Sequence, residues 1–152
     1  MKLKIAILPG DGIGPEVTNE SIKVLNCIAK KFNHDVEMST GLVGAIAIDQ
    51  YNDPYPDETH KLCSESDAIL FGAIGDPKYD NDPKAKIRPE QGLLKLRKKL
   101  GLYANLRPTK VFDSLLEMSP IKEDRIAGTD ILFVRELTGG IYFGERGRKN
   151  DD

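Results

Sequence analysis

The 152-residue chain is 39% hydrophobic and 30% charged, lacks Trp, and carries a formal net charge of −2. That composition is expected of a soluble globular protein: no apolar run is long enough for a membrane span, and interspersed charges argue against a nucleic-acid surface. Cys27 and Cys63 stand far apart and outside any C-x-x-C spacing, so they read as reduced thiols of a cytoplasmic protein, and His34 and His60 are too few for a His/Cys metal centre. The N-terminus enters a strand at once, without the apolar core or cleavage site of a signal peptide. Residues 4–8 (Lys4-Ile5-Ala6-Ile7-Leu8) are apolar enough to be interior to a parallel sheet. Pro9-Gly10-Asp11-Gly12-Ile13-Gly14 is a glycine-rich turn, and Pro15 with Glu16 opens a helix. Val17, Val24, Leu25, Ile28, Ala29 and Phe32 keep helical spacing, so that helix is predicted to reach Phe32.

A second strand is expected over 35–39, a short helix over 45–50, a helix over 57–64 and another buried strand over 68–72. This alternation implies a mostly parallel α/β sheet. Residues 73–88 read as loop, and an unstructured stretch of that length is usually functional. A helix from Pro89 to about Leu100 is stopped by Gly101, and 103–108 is extended because the residue before a proline avoids helix. Ser119-Pro120 makes a turn. Ile131 to Val134 reads as a buried strand that delivers Arg135 and Glu136 at its exit. Gly139-Gly140 breaks it, and Ile141-Tyr142-Phe143 restarts an extended segment. The polar tail from Gly144 follows with no closing element, as if the chain ended before its fold.

Three features carry chemistry. Gly10, Gly12 and Gly14 invite a dinucleotide reading, but the third glycine comes one residue too early for G-x-G-x-x-G, and no Walker lysine follows. The turn is therefore either an anion-binding helix start or simply a tight turn. Glu90, Leu93, Leu94 and Arg97 stand at i, i+3, i+4 and i+7 and share one helix face. That face suits a branched alkyl group beside a carboxylate, although an ordinary amphipathic helix reads the same way, with Leu96 and Leu100 as its core residues. Arg97, Arg107 and Arg135 each sit near an element boundary, where a guanidinium can grip a carboxylate through paired hydrogen bonds. Their convergence on one dicarboxylic acid is permitted by the spacing. An Arg-Glu pair at a strand end is equally an exposed ion pair. Tyr142 could donate a proton if nearby cations lowered its pKa.

Four ordered motifs resemble the isocitrate/isopropylmalate dehydrogenase family of β-decarboxylating dehydrogenases, and among these the 3-isopropylmalate branch: Leu8-Pro9-Gly10-Asp11-Gly12-Ile13-Gly14-Pro15-Glu16-Val17, Gly92-Leu93-Leu94-Lys95-Leu96-Arg97-Lys98, Asn105-Leu106-Arg107-Pro108, and the run from Val134 to Gly144. The Glu90, Leu93, Leu94 stripe is the feature that favours isopropylmalate over isocitrate. The resemblance implies NAD-dependent oxidative decarboxylation of 3-isopropylmalate in leucine biosynthesis, with Mg or Mn. By the same resemblance, Arg97, Arg107 and Arg135 bind the malate carboxylates, and Leu93 and Leu94 hold the isopropyl group. Glu90 lies between substrate and nicotinamide, Tyr142 protonates the enolate, and Ile13, Gly75, Asp76, Pro77, Lys78 and Glu90 line the NAD site.

The implied fold is a mostly parallel, doubly wound sheet that is not a Rossmann fold, truncated after the start of a second domain. Residues 1–102 would begin a discontinuous NAD- and substrate-binding domain, and 103–152 the dimerisation domain of a cytoplasmic homodimer. Where the family commonly carries glycine-glycine-proline-lysine-tryptophan, this chain has Gly75-Asp76-Pro77-Lys78-Tyr79, so Asp76 either repels a pyrophosphate or faces solvent. The family's chains are well over twice as long, and their catalytic lysine and metal-binding aspartates are expected in the missing C-terminal part, with no metal ligand in this stretch and no activity from it alone. Alternatives are a related dehydrogenase acting on a tartrate, malate or homoisocitrate, or a non-catalytic fragment.

Overall fold

The computed structural model of the chain describes residues 1–80, 86–144 and 147, with only the backbone at 80, 141 and 142. Strand β1 (Lys2–Gly10) lies at the centre of a three-stranded parallel sheet, between β2 (Asp35–Thr40) and β3 (Ala68–Ala73). The register runs from Lys2↔Asp35 to Ile7↔Thr40 on one side and from Ile5↔Ala68 to Gly10↔Ala73 on the other. A central strand has both faces to bury, which is why its apolar run is continuous rather than alternating.

Helix α1 (Gly14–Phe32) starts with Pro15 in its first turn and stops at Asn33, whose left-handed backbone returns its N–H to the last carbonyls. The helix lies on the face of Ile7, with Gly14 and Thr18 above Gly72 of β3. Gly14, Thr18 and Ala29 are its buried residues, while Val17, Val24, Ile28 and Phe32 face outward. Small side chains on the inner face let the helix approach the sheet closely, and the larger apolar stripe is left on the outside.

The opposite face carries the core. Ala6 and Leu8 cluster with Val43, Tyr55, Cys63 and Leu96, and with the half-buried Leu62, Ile69, Phe71, Ile74 and Leu100. Those residues come from the sheet itself, from α3 (Asp57–Ser64) and α5 (Glu90–Lys99) and from the loops, among them the ones that flank α2 (Ala45–Tyr51), so the sheet is covered on both faces. Tyr55 is fully buried, with its hydroxyl 3.3 Å from Nδ1 of His60, and burial pushes its phenol above the ordinary range. Cys27 is exposed and Cys63 buried, and both are free thiols. Among the described residues, no helix is long and apolar enough to cross a membrane.

The chain divides into two compact units, Met1–Leu100 and a second beginning at Gly101. In the second, β4 (Ala104–Lys110) and β5 (Asp130–Glu136) form an antiparallel pair from Ala104↔Glu136 to Lys110↔Asp130. A 3₁₀ turn (Asp113–Met118) and the short helix α6 (Glu123–Ile126) connect them, and the helical turn α7 (Gly140–Phe143) follows.

Four expectations are corrected. β3 is half-buried rather than buried, because it is an edge strand of the sheet. The stretch after Ala73 contains a helical turn, α4 (Pro77–Asp80), where proline suits the first position. Residues 141–143 are helical, not extended. The run Ile131–Val134 forms a strand, as its β-branched and aromatic residues favour, but every residue of β5 is exposed because no second layer covers the hairpin within its unit.

Candidate functional site

At the end of β1 the backbone turns with Gly10 at φ +73°. A β-carbon there would lie 1.9 Å from the carbonyl oxygen of Ala73, so only glycine lets the turn dock on the exit of β3. The next residue, Asp11, donates its N–H to that same carbonyl at 2.8 Å and is itself buried, at 6% exposure. Its carboxylate accepts the N–H groups of Ala45 at 2.6 Å and Ile46 at 3.0 Å, and faces the N–H of Gly75 at 3.5 Å. Burial of this polar group is tolerable because amide donors at the start of α2 satisfy its oxygens. Gly44, at φ +83°, makes room: a β-carbon there would sit 2.1 Å from Oδ2 of Asp11.

The loop after β3 is therefore fastened to the turn after β1. Gly12 packs on the carbonyl of Gly75, and Ile13, the next residue, is exposed at that rim. Asp76 closes the local turn: its Oδ1 accepts the N–H of Lys78 at 2.9 Å and starts α4 behind Pro77. Lys78 and Tyr79 reach back to α2, where Asp49 accepts the ammonium at 2.7 Å and the phenol at 2.8 Å. Hydrogen bonds from Lys78 and then Tyr79 hold the Asp49 carboxyl below its ordinary range, and both partners are shifted upward in turn.

Helix α5 is set by its inner face. Gly92 is buried where a β-carbon would meet the Pro54 carbonyl at 2.5 Å, Leu96 enters the core, and Lys95 and Lys99 bond Asp53 and Asp57 at 2.6 Å. That orientation leaves Leu93, Leu94 and Arg97 half-buried and Glu90 exposed, with Oε1 of Glu90 3.7 Å from the position of a Gly75 β-carbon. The first unit thus gathers Ile13, Gly75, Asp76, Pro77, Lys78 and Glu90 around one junction, with Leu93, Leu94 and Arg97 further along α5.

The second unit holds the other two arginines. Arg107 pairs with Phe133 and Arg135 with Asn105, so both guanidinium groups rise on one face of the hairpin as diagonal neighbours, roughly 7 Å apart at the backbone. With Phe133, Val134 and Glu136 they line an open groove of about 860 Å³. Glu136 curls back: its carboxylate accepts the N–H and hydroxyl of Thr138, and the N–H of Gly139 at 3.1 Å. Those donors hold it below the usual carboxylate range, the Thr138 hydroxyl foremost. Glu136 thereby shapes the turn into α7, whose third residue is Tyr142; the side chain of Tyr142 lies outside the described residues. Arg97 belongs to a different compact unit from Arg107 and Arg135.

Sequence reasoning did not single out Asp11 or Asp49. Asp11 sits between two glycines at a strand exit, a position where a short acid commonly binds backbone, and that signal was available. Asp49 offered none, since its partners are about thirty residues away. Among the described residues, no group of three or more His, Cys, Asp or Glu side chains is placed to hold a metal.

A model of the isocitrate/isopropylmalate dehydrogenase family matches residues 4–152. The 3-isopropylmalate dehydrogenase of Bacteroides fragilis is 52% identical over 151 residues, 99% of this chain and 43% of its own length. That of Aquifex aeolicus is 56% identical over 144 residues, 95% of this chain and 39% of its own length. Among solved structures, a β-decarboxylating dehydrogenase from Thermococcus kodakarensis in apo form matches at a TM-score of 0.67 and 32% identity, over 99% of this chain and 38% of that one. Isocitrate dehydrogenase from Methylococcus capsulatus matches at 0.66 and 26%, over 92% and 36%. The chain spans about two fifths of the length of the relatives it matches.

Proposed function

The chain belongs to the isocitrate/isopropylmalate dehydrogenase family, and from that premise we propose that the protein oxidatively decarboxylates 3-isopropylmalate to 4-methyl-2-oxopentanoate with NAD, in leucine biosynthesis. The observation that carries the reading is the junction of Gly75 with Glu90, from which Leu93, Leu94 and Arg97 continue along one helix face. An acid at the cofactor end, two aliphatic side chains and then a cation match the order of groups in a branched-chain malate.

Each residue has a stated task. Arg97, Arg107 and Arg135 bind the two carboxylates, because planar guanidinium groups pair with carboxylate oxygens in parallel. Leu93 and Leu94 cup the isopropyl branch, and Glu90 lies between it and the nicotinamide. NAD supplies the acceptor for the C2 hydride. After loss of carbon dioxide from the β-keto acid, Tyr142 delivers the proton to the enolate carbon, with the arginines favouring its ionised form. The junction fits the cofactor: Gly12 and Gly75 add no side chain of their own there, Ile13 offers an apolar rim, and Lys78 a cation near the loop. A divalent Mg or Mn and a lysine base are assigned to parts of the relatives' length outside this match. Residues 1–102 then begin the NAD- and substrate-binding domain and 103–152 the dimerisation domain of a cytoplasmic homodimer. The 152 residues alone are proposed to be inactive.

NADH production from 3-isopropylmalate, isocitrate, malate and tartrate by the polypeptide at the relatives' length tests this. Isopropylmalate should be preferred, and Leu93→Ser should erode that preference by about tenfold or more. Equal turnover of isocitrate and no change in Leu93→Ser would reject the assignment.

A further inference from the structure

The loop 75–79 is held from both ends by one short helix, and the two holds differ in kind. At its start, Asp11 bridges the amides of Ala45 and Ile46 to that of Gly75, in a buried pocket that Gly44 keeps open. At its far end, Asp49 takes the ammonium of Lys78 and the hydroxyl of Tyr79 on an exposed flank of the same helix, α2. Between these points Asp76 closes the local turn. Each of the three carboxylates thus has a partner within the junction, and the loop's backbone path is set by Asp11 and α2 together with its own Asp76 turn.

We propose that Asp11 and Asp49 are positioning residues of the cofactor site: Asp11 fixes Gly75 against the start of α2, and Asp49 holds Lys78 and Tyr79 along its flank, so that together they set where residues 75–79 meet a dinucleotide. The proposal rests on the reading of this junction as the NAD site. The ammonium of Lys78 is shared rather than free, so its approach to a cofactor phosphate is a matter of geometry imposed by Asp49. A loop ordered before binding costs less conformational entropy when the cofactor arrives. The two holds should also separate in their consequences. Asp11 is buried and supports both the fold and the loop, whereas Asp49 is exposed and its loss affects chiefly the loop.

The decisive experiment is steady-state kinetics and NAD binding by calorimetry on the full-length polypeptide, with Asp49→Ala, Asp49→Glu and Asp11→Asn. Asp49→Ala should raise KM and Kd for NAD about threefold to fivefold, the range open to an exposed charged bond, with the change in kcat smaller than that in KM and the isopropylmalate KM unmoved. Asp49→Glu should restore most of the affinity. Asp11→Asn should raise KM for NAD as well, together with a lower melting temperature. Unchanged NAD affinity in Asp49→Ala, with normal turnover, would overturn the proposal alone. Tighter NAD binding in that variant would show that Asp49 withholds Lys78 and would overturn it too. If the unsubstituted protein neither binds nor reduces NAD, the functional reading fails and takes the proposal with it.

Discussion

Two apolar runs, Ile5-Ala6-Ile7-Leu8 and Ile131-Leu132-Phe133-Val134, are near equivalents as text and opposites as structure. In the first, Ala6, Ile7 and Leu8 are 0%, 2% and 0% exposed; in the second the four residues are 46%, 56%, 55% and 62% exposed. Both are strands, because β-branched and aromatic residues suit a pleated backbone wherever it lies. Burial differs because β1 has a strand on each side and helices on both faces, whereas β5 has one partner strand and no covering layer within its unit. An apolar run therefore specifies a strand, while burial is a property of the layers that pack on it. In the second unit Leu137, just past β5, is the one buried side chain among the described residues.

The comparison is tested most severely at two glycines that share φ +73°. Gly10 has the Ala73 carbonyl 1.9 Å from where a β-carbon would sit; Gly128 has nothing within 4 Å. Gly10→Ala should cost about 4 kcal/mol or more, enough to unfold a marginal domain, and Gly128→Ala only about 1 kcal/mol. Urea unfolding followed by circular dichroism measures both. Comparable losses would mean that surroundings matter less than backbone conformation.

A smaller contrast is expected for truncations in the two strands. Leu8→Ala should destabilise the chain by about 3 kcal/mol, through lost transfer energy and a cavity. Leu132→Ala should stay within about 0.5 kcal/mol in the 152-residue chain. A loss at Leu132 approaching that at Leu8 would show that the hairpin face is covered in solution.

The least expected effect distinguishes two exposed carboxylates, one in each unit. Asp49 is held below the usual range chiefly by Lys78, and Glu136 chiefly by the neutral Thr138 hydroxyl. With folded values depressed, both tethers are present above the ordinary carboxylate range and lost as pH falls through the depressed values. Lys78 and Tyr79 are raised, so the Asp49 tether is also lost in strong alkali as pH climbs through their raised values. Carboxyl NMR titration in about 1 M salt should move Asp49 back toward its ordinary value and leave Glu136 nearly in place. Equal salt sensitivity would contradict the assignment of causes.

Much of the fold was legible before any coordinates. The Pro15-Glu16 start of α1 and its reach to Phe32, the limits of α3, the parallel character of β1 and the core role of Leu96 follow from local periodicity and helix-start chemistry. Local chemistry fixes dihedral angles over a few residues, and sequence spacing reports it directly. The helical turns at 77–80 and 140–143 were not legible, because single turns are decided by the partners of Asp76 and Glu136 rather than by periodicity. For the candidate site, Gly75 and its neighbours were named through the family resemblance, and the stripe of Glu90, Leu93, Leu94 and Arg97 through helical spacing. The carboxylates that hold the loop could not be, because Asp11 and Asp49 act across separations of 64 and about thirty residues.

What the amino-acid order determined by itself is where the longer strands and helices lie and to which family the chain belongs, since both are written in short-range pattern. Only the tertiary structure decided which apolar run is buried, which carboxylate is shielded and which side chains hold the 75–79 loop. Burial and long-range hydrogen bonding depend on what lies in the neighbouring layer, and no local window contains that neighbour.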